Sequence, residues 1–183
     1  MKKLAVLVSG TGSILEAMIK VKIPITLVLA DRQCRGIEIA REANIPTEVF
    51  PRIFGKNFDR EKYTLETVEI LHRYSIDLVA MAGYMTVFSP VMFEHYRNKV
   101  LNIHPALLPA FKGGQAVRDA LVFGAKVTGT TIHFATEVMD EGPIVAQEAV
   151  PILDGDTEET LHERIKIVER RLYPETVRKL LEN

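Results

Sequence analysis

The sequence has little of what marks disulfide-rich, membrane-bound or nucleic-acid-binding proteins. It contains one cysteine, Cys34, and no tryptophan among 183 residues. A single cysteine excludes an internal disulfide and cannot form a cysteine metal site alone. The formal net charge is -1, and no long run of like charge suggests a nucleic acid or an acidic membrane as partner. No apolar run approaches the length of a membrane-spanning helix.

The composition that remains is typical of a folded domain. Apolar residues make up 47% and charged residues 26% of the chain, which argues against disorder. The length suits one domain with a sizeable core. The apolar run after the basic N-terminal residues is too short for a signal peptide, so we expect a first strand there and a cytoplasmic protein.

Short apolar runs alternate with helical patterns along the chain, beginning with Leu4–Val8 and Ile25–Ala30. This alternation predicts an α/β fold, a mostly parallel twisted sheet of about seven strands flanked by helices, with a Rossmann-like N-terminal half. The runs Val127–Ala135 and Ile144–Ile152 are joined by a turn-rich loop, which predicts one antiparallel strand in the C-terminal half.

The last helix has a start signal and a break signal. Asp156 and Glu159 have the spacing of a capping pattern, so we expect the helix to begin at Asp156. Pro174 lies inside the helical pattern and is expected to break or kink it.

A glycine turn, Ser9-Gly10-Thr11-Gly12-Ser13, follows the first predicted strand and precedes a helical pattern. Free backbone N–H groups and the positive end of a helix dipole suit an anion such as phosphate. Leu15 stands where the third glycine of a dinucleotide fingerprint would be, and no Walker lysine follows. A single phosphate therefore fits best, although a glycine turn that only makes a tight corner is the alternative.

Asn102 and His104 lie two residues apart at the end of a predicted buried strand, which Pro105 ends. In an extended segment both side chains leave the same face. Ligands of open α/β sheets bind at such strand ends. The alternative is a histidine that only hydrogen-bonds a neighbouring loop.

Three motifs together resemble the folate-dependent formyltransferases: Asn-Ile-His-Pro-Ala-Leu-Leu-Pro at 102–109, Thr-Gly-Thr-Thr-Ile-His-Phe at 128–134 and Met-Asp-Glu-Gly-Pro-Ile at 139–144. Residues 9–13 and 82–85 extend the resemblance to essentially the whole chain. It implies a single formyltransferase domain over residues 1–183. Phosphate-binding βα units are expected in 1–100, and catalytic and folate-binding parts in 101–183.

The resemblance also implies a reaction: direct transfer of a formyl group from 10-formyltetrahydrofolate to the amine of a phosphoribosyl glycinamide, without a metal. It assigns the catalytic roles to Asn102, His104 and Asp140, with His133 as a supporting group. Asn102 and a protonated His104 would stabilise the oxygen of a tetrahedral intermediate. Asp140 would favour the protonated imidazole and help carry protons, through water.

Substrate contacts follow from the same resemblance. Gly12, Ser13 and the N–H of Ile14 are expected to hold the substrate phosphate. The residues expected around the folate are Arg60, Met85, Thr86, Val87, Phe88 and Asn102.

The chain departs from the family pattern at three positions. Ile14 stands where members usually have asparagine, so only the backbone remains to cradle the phosphate. Thr86 replaces a basic residue that is common in the folate segment. Gln115 replaces a histidine that is frequent in the substrate loop.

Other functions fit parts of the pattern. Methionyl-tRNA formyltransferase and formyltetrahydrofolate deformylase share an Asn/His/Asp core, but each usually has an extra domain for which we expect no room here. A non-catalytic binder of folate or of a phosphorylated metabolite is a further alternative. A metal hydrolase would use His104, His133 and Asp140, although their spacing matches no standard ligand motif. The expected partners are small molecules, and the protein is expected to be a monomer or a homodimer.

Overall fold

A computed structural model of the chain describes residues 2–53, 55 and 58–183. Strands and helices alternate as the apolar pattern predicts, and most element boundaries lie within about two residues of the expected ones. In chain order the elements are β1 (Leu4–Val8), α1 (Ser13–Lys20), β2 (Leu27–Ala30), α2 (Arg35–Glu42), β3 (Thr47–Val49), α3 (Arg60–Arg73), β4 (Leu78–Met81), α4 (Val91–His95), β5 (Val100–His104), α5 (Ala116–Phe123), β6 (Val127–Phe134), β7 (Ile144–Pro151) and α6 (Glu158–Glu182).

The strands form one seven-stranded sheet in the order β3-β2-β1-β4-β5-β6-β7. The pairings from β3 to β5 are parallel. β6 pairs antiparallel with both β5 and β7, so β6 is the strand that reverses direction. The predicted fold class is confirmed.

The sheet is covered on both faces, as the continuous apolar runs require. Alternate residues of β1 enter two different cores: Leu4, Val6 and Val8 pack beneath α1, α2 and α6, whereas Ala5 and Leu7 pack beneath α3 and α4. Every residue of β1 is buried. The central strand is thereby fixed from both sides, which holds the loop that follows it in place.

The glycine turn packs closely on the N-terminus of α2. Gly12 adopts a left-handed conformation, and a Cβ built on it would lie 2.7 Å from the Cα of Gly36. The N–H of Gly36 donates to the carbonyl of Gly10. Glycine is therefore required at Gly12 both for its backbone conformation and for this close approach.

The last helix differs from expectation at its start, and it is not broken at its proline. α6 begins after Thr157 with a capping box, in which the Thr157 hydroxyl accepts the N–H of Thr160 and the Thr160 hydroxyl accepts the N–H of Thr157. Asp156 instead accepts the N–H of Leu153 and pairs with Arg164. The helix also continues through Pro174 without ending. Tertiary packing on both sides of Pro174 offsets the lost hydrogen bond, because Ile165, Tyr173 and Val177 are all buried in the core.

None of the described helices is long and apolar enough to cross a membrane.

Candidate active site

His104 ends β5 and is almost fully buried. Its Nδ1 lies 3.4 Å from Oδ2 of Asp140, and its Nε2 lies 2.8 Å from the carbonyl oxygen of Phe111. Both neighbours are hydrogen-bond acceptors, so the arrangement suits the protonated ring, which donates from both nitrogens. The carboxylate of Asp140 thus lies within ion-pair distance of the imidazole.

Asn102 contacts the second buried histidine. Its Nδ2 lies 3.2 Å from Nε2 of His133, the residue opposite it on β6. Nδ1 of His133 lies 3.2 Å from the carbonyl of Phe134, which can only accept, so the ring donates from Nδ1 and accepts from Asn102 at Nε2. Because the carboxamide has two N–H donors, one remains for a ligand. Asn102 is half-buried and therefore accessible to one.

Asp140 connects the two histidines. Its Oδ1 lies 3.7 Å from Nε2 of His133, and its Oδ2 accepts a hydrogen bond of 2.8 Å from the N–H of Gly113. Burial acts to raise the pKa of Asp140, but the neighbouring His133, the N–H of Gly113 and the neighbouring His104 together hold that pKa below its usual value. The carboxylate is therefore ionised at neutral pH.

The backbone of Asp140 adopts a left-handed conformation, with φ at 59°. Aspartate tolerates this region better than most residues. Such strain collects at functional positions because the surrounding contacts enforce it. Here the conformation directs the carboxylate inward from the loop between β6 and β7.

The segment after His104 is fixed by side chains of the last two strands. The hydroxyl of Thr131 donates to the carbonyl of Ala106 and accepts from the N–H of Leu108. Gln147 donates to the carbonyl of Leu108 and to the hydroxyl of Thr131. All these groups are thereby paired, which makes the loop a rigid support for His104.

The predicted phosphate residues line a cavity of about 270 Å³. Residues 9–14 form one wall, with Gly12, Ser13 and Ile14 at the start of α1. The side chain of Ile14 turns into the core and is 9% exposed. Ile14 therefore offers its backbone N–H at the helix N-terminus, as expected.

Part of the lining of this cavity comes from α6 and was not foreseen from the sequence. His162 and Lys166, one helical turn apart, both line it. Their spacing places them on one face of a helix, but the sequence alone does not reveal which loop that face meets. Lys166 supplies the positive charge that the glycine loop lacks.

Glu169, three residues after Lys166, is a second unforeseen group. It is almost fully buried, and burial raises its pKa to about 7. The hydroxyl of Thr130 lies 3.4 Å from its Oε1 and 3.2 Å from the carbonyl oxygen of His104. Since that hydroxyl has one proton, a protonated Glu169 can donate to Thr130 while Thr130 donates to the backbone of His104.

The predicted folate segment alternates between inward and outward side chains. Thr86 and Phe88 are buried, whereas Met85 and Val87 are largely exposed. Thr86 donates a 2.7 Å hydrogen bond to the buried carboxylate of Asp31, so it occupies an internal position instead of that of a surface cation.

Asp31 also joins this segment to its neighbours. Burial acts to raise the pKa of Asp31, but hydrogen bonds from Arg32, Thr86 and Ser9 lower it below its usual value. Ser9 in turn accepts the N–H of Met85. The segment is therefore tied to the glycine loop through buried polar contacts.

Arg60 and Gln115 lie further out. Arg60 is the exposed first residue of α3, and its carbonyl accepts from Thr64. Gln115 is exposed at the N-cap position of α5, and its side chain makes no capping bond. Among the described residues, no hydrogen bond or ion pair joins either residue to Asn102, His104 or Asp140.

A larger cavity of about 680 Å³ lies between α4 and the loop after β6. It is lined by Phe93, Glu94, Arg97, Asn98, Ala135, Thr136, Glu137, Val138 and Pro143. Phe93 and Ala135 also pack against the core cluster that contains Phe88. Its volume is typical of small-molecule sites, and it shares the loop that presents Asp140.

No group of three or more His, Cys, Asp or Glu side chains among the described residues is arranged to hold a metal ion. The cluster of Asn102, His104, His133 and Asp140 offers instead hydrogen-bond donors and a carboxylate around one accessible amide.

This constellation agrees with what comparison with known proteins reveals, since residues 2–177 match the formyl transferase family. The chain belongs to that family. The formyl transferases similar to it include the phosphoribosylglycinamide formyltransferase of Mycobacterium tuberculosis, which is 44% identical over 93% of this chain and 80% of its own length.

Further formyl transferases match along nearly their whole length. The phosphoribosylglycinamide formyltransferase of Bacillus subtilis is 38% identical over 99% of this chain and 95% of its own. The crystal structure of the Streptococcus pneumoniae phosphoribosylglycinamide formyltransferase superposes with a TM-score of 0.91 at 36% identity, covering 99% of both chains. The fold described above is thus that of these transferases.

Proposed function

We propose that the protein transfers the formyl group of 10-formyltetrahydrofolate to the amine of 5-phosphoribosylglycinamide, a step of purine biosynthesis. The observation that carries the proposal is the convergence of Asn102, His104 and Asp140, in a chain whose similar full-length relatives are named for this reaction. The glycine loop after the first strand also lines a cavity large enough for a phosphate group.

The reaction requires an attack by the substrate amine on the formyl carbon. A C–N bond to the amine forms, the carbonyl oxygen becomes negative, and the bond from carbon to N10 of the folate then breaks. The remaining N–H of Asn102 and the protonated ring of His104 stabilise that oxygen. Asp140 takes the proton lost by the amine and passes that same proton to N10 of the folate, while the oxyanion re-forms the carbonyl as the C–N10 bond breaks.

His104 must exchange a partner for this step. In the described structure its Nε2 is bound to the carbonyl of Phe111, so the donor is already oriented but occupied. The developing oxyanion replaces the carbonyl as acceptor because a charged acceptor binds an imidazolium more strongly than a neutral one.

The phosphate of the acceptor substrate binds between the glycine loop and α6. Backbone N–H groups of Ser13 and Ile14 and the N-terminal end of α1 supply one side. Lys166, whose ammonium group also pairs with the exposed Glu163, supplies a cation to the same cavity. We expected residues 1–100 to bind the phosphate and 101–183 to carry catalysis and folate binding. That division stays a prediction, and Lys166 adds a contribution from the second part to the phosphate site.

The folate occupies the space between residues 85–88 and the loop that presents Asp140. The 680 Å³ cavity beneath that loop is large enough for a flat ring. Met85 and Val87 offer exposed apolar side chains for the folate, and Arg60 offers an exposed cation for the acidic end of the cosubstrate. The protein is proposed to work on small molecules in the cytoplasm, as a monomer or a homodimer.

A transfer assay tests the function. Purified protein is mixed with 10-formyltetrahydrofolate and phosphoribosylglycinamide, and the folate absorbance is followed with each substrate omitted in turn. We expect deformylated folate and formylated acceptor in equal amounts, and no turnover without the acceptor. Release of formate without an acceptor would indicate a deformylase, and tight folate binding without turnover would indicate a non-catalytic binder.

A further inference from the structure

His162 lines the 270 Å³ cavity together with the glycine loop, one helical turn before Lys166. Its imidazole is half-buried and makes no hydrogen bond or ion pair within residues 2–53, 55 and 58–183. The other residues around the cavity, apart from Lys166, contribute small, polar or apolar uncharged groups. The imidazole of His162, a titratable group without a protein hydrogen-bond partner, therefore lines a cavity that can hold an anion.

The charges around His162 come mainly from its own helix. Lys166 disfavours the protonated ring, whereas Glu163 and Glu158 favour it weakly. Glu163 is itself paired with Lys166. The glycine loop carries no charged side chain, and the charged residues of the packed helix α1, Glu16 and Lys20, are exposed to solvent.

Together, these influences keep the imidazole of His162 neutral at pH 7 while the cavity is empty. Burial lowers the pKa of His162 below its usual value of 6.5, and the charge of Lys166 adds to the effect. A phosphate entering the cavity would reverse the balance, because its negative charge and its oxygens both favour the protonated ring.

We propose that His162 is a second cationic ligand of the substrate phosphate and takes up a proton as the phosphate binds. The inference rests on the proposed function for the identity of the phosphorylated substrate. It explains how a loop in which Ile14 offers only its backbone can still bind a dianion, because the side chains of α6 supply the charge. Phosphate affinity then increases as the pH falls from about 8.5 toward 6.5, a range in which a phosphate monoester with a second pKa near 6 stays mostly dianionic.

Proton NMR titration tests the proton uptake on the intact protein. The probe is ribose 5-phosphate, and the variant His162→Gln identifies the His162 resonance among the five histidines. We expect saturating ribose 5-phosphate to move the His162 titration to higher pH and to leave His72 and His95, which lie on α3 and α4, unchanged. An unmoved His162 titration at saturation, or no binding of the probe, would overturn the proposal.

Steady-state kinetics test the role in the reaction. In His162→Gln the KM for phosphoribosylglycinamide is expected to rise about tenfold at pH 6.5 and little at pH 8.5, since one charge-assisted hydrogen bond is lost only where the ring is protonated. The kcat and the folate KM are expected to stay near wild type. The matched control, His95→Gln, should leave all three constants unchanged.

The two experiments separate this inference from the proposed function. A protein that transfers formyl groups but shows a wild-type, pH-independent KM in His162→Gln would overturn the role of His162 alone. A protein that binds ribose 5-phosphate with the expected shift, yet transfers no formyl group, would support the phosphate site while contradicting the reaction.

Discussion

At the scale of single residues, the site is built from buried polar groups that are paired with one another. Asp140 accepts a hydrogen bond from the N–H of Gly113 and lies within ion-pair distance of both His104 and His133. A buried carboxylate is stable only with such partners. The proposed role of Asp140 as a proton acceptor and its contacts with the two rings therefore depend on the same neighbours.

Replacing Asp140 by asparagine is expected to lower kcat by about 10²-fold or more, since a proton acceptor and the charge beside His104 are both lost. Because the pKa of Asp140 lies below its usual 3.8, its ionisation should not limit the wild-type rate above about pH 5. The pH profile of kcat, measured from pH 5 to 9, checks both statements. The control is Asp154→Asn, at a fully exposed carboxylate.

A fall of less than threefold in Asp140→Asn, with Asp154→Asn equally affected, would contradict the assigned role. A decrease of kcat on the acid side above pH 5 in the wild-type profile would have to come from the ionisation of another group. If that decrease disappeared in Asp140→Asn, the pKa of Asp140 would be raised and not lowered.

Ile14 offers a second residue-scale test. Its side chain packs in the core beneath α1, so Ile14→Asn would bury an unpaired amide and lower the free energy of unfolding by about 1–3 kcal/mol. Ile14→Val, which keeps the backbone donor, should retain the KM for the phosphorylated substrate within about twofold. Urea unfolding and substrate kinetics on both variants check this. A stable Ile14→Asn protein with a much lower KM would show that the native phosphate site is compromised.

At the scale of elements, the sequence predicts which strands and helix faces are buried better than it predicts which elements contact each other. Continuous apolar runs such as Leu4–Val8 identify buried parallel strands, because both faces of the sheet are covered. Asn102 and His104 could be placed together because a strand fixes which side chains share a face. The start of α6 was misplaced because Asp156 and Thr157 are both good caps, and tertiary contacts of Asp156 with Arg164 decide between them.

The glycine loop allows a prediction that separates backbone strain from a steric clash. Gly12 and Gly83 both have positive φ angles, 73° and 75°. A Cβ on Gly83 would meet open space, whereas one on Gly12 would collide with Gly36. Gly83→Ala is expected to cost about 1 kcal/mol of stability from backbone conformation alone, and Gly12→Ala clearly more.

Thermal or urea unfolding of the two alanine variants measures the difference. Since the loop must shift away from α2 to accept the methyl group, Gly12→Ala should also raise the KM for the phosphorylated substrate. Equal losses of stability in the two variants would show that the contact between the loop and α2 is unimportant.

At the scale of the whole molecule, the sheet collects groups from distant parts of the chain at one edge. α6 illustrates the limit of sequence-based prediction, because Lys166, His162 and Glu169 become part of the site only through the way α6 packs beside α1 and β6. No periodicity in the sequence specifies that neighbour. The hydrogen bond from Thr86 to Asp31 could not be predicted for the same reason, because Asp31 follows a different strand.

Glu169 makes global stability depend on pH. Its pKa is about 7 in the folded protein against a usual 4.5, so the folded state binds more protons between these values, and stability is lost as the pH rises through that interval. Glu169→Gln, which stays neutral, should therefore be more stable than wild type at pH 8, by up to about 3 kcal/mol, and nearly equal at pH 4.5.

Thermal unfolding at pH 4.5, 6 and 8 checks this, with Glu159→Gln, at an exposed position in the first turn of α6, as the control. The difference between Glu169→Gln and wild type should grow with pH, and that of the control should stay constant. A difference that shrinks with rising pH would mean that Glu169 is stabilised as a carboxylate instead.

The reversed direction of β6 also has a consequence for how such a protein can diversify. Because β6 runs opposite to β5, the connection from Phe134 to Ile144 starts near the beginning of β5 and must return along it before Asp140 contacts His104. One short connection thus sets the position of the carboxylate and also forms a wall of the larger cavity. Insertions or deletions there would alter cosubstrate fit and proton handling together, so homologues with new specificities should vary the amino acids of this connection and preserve its length.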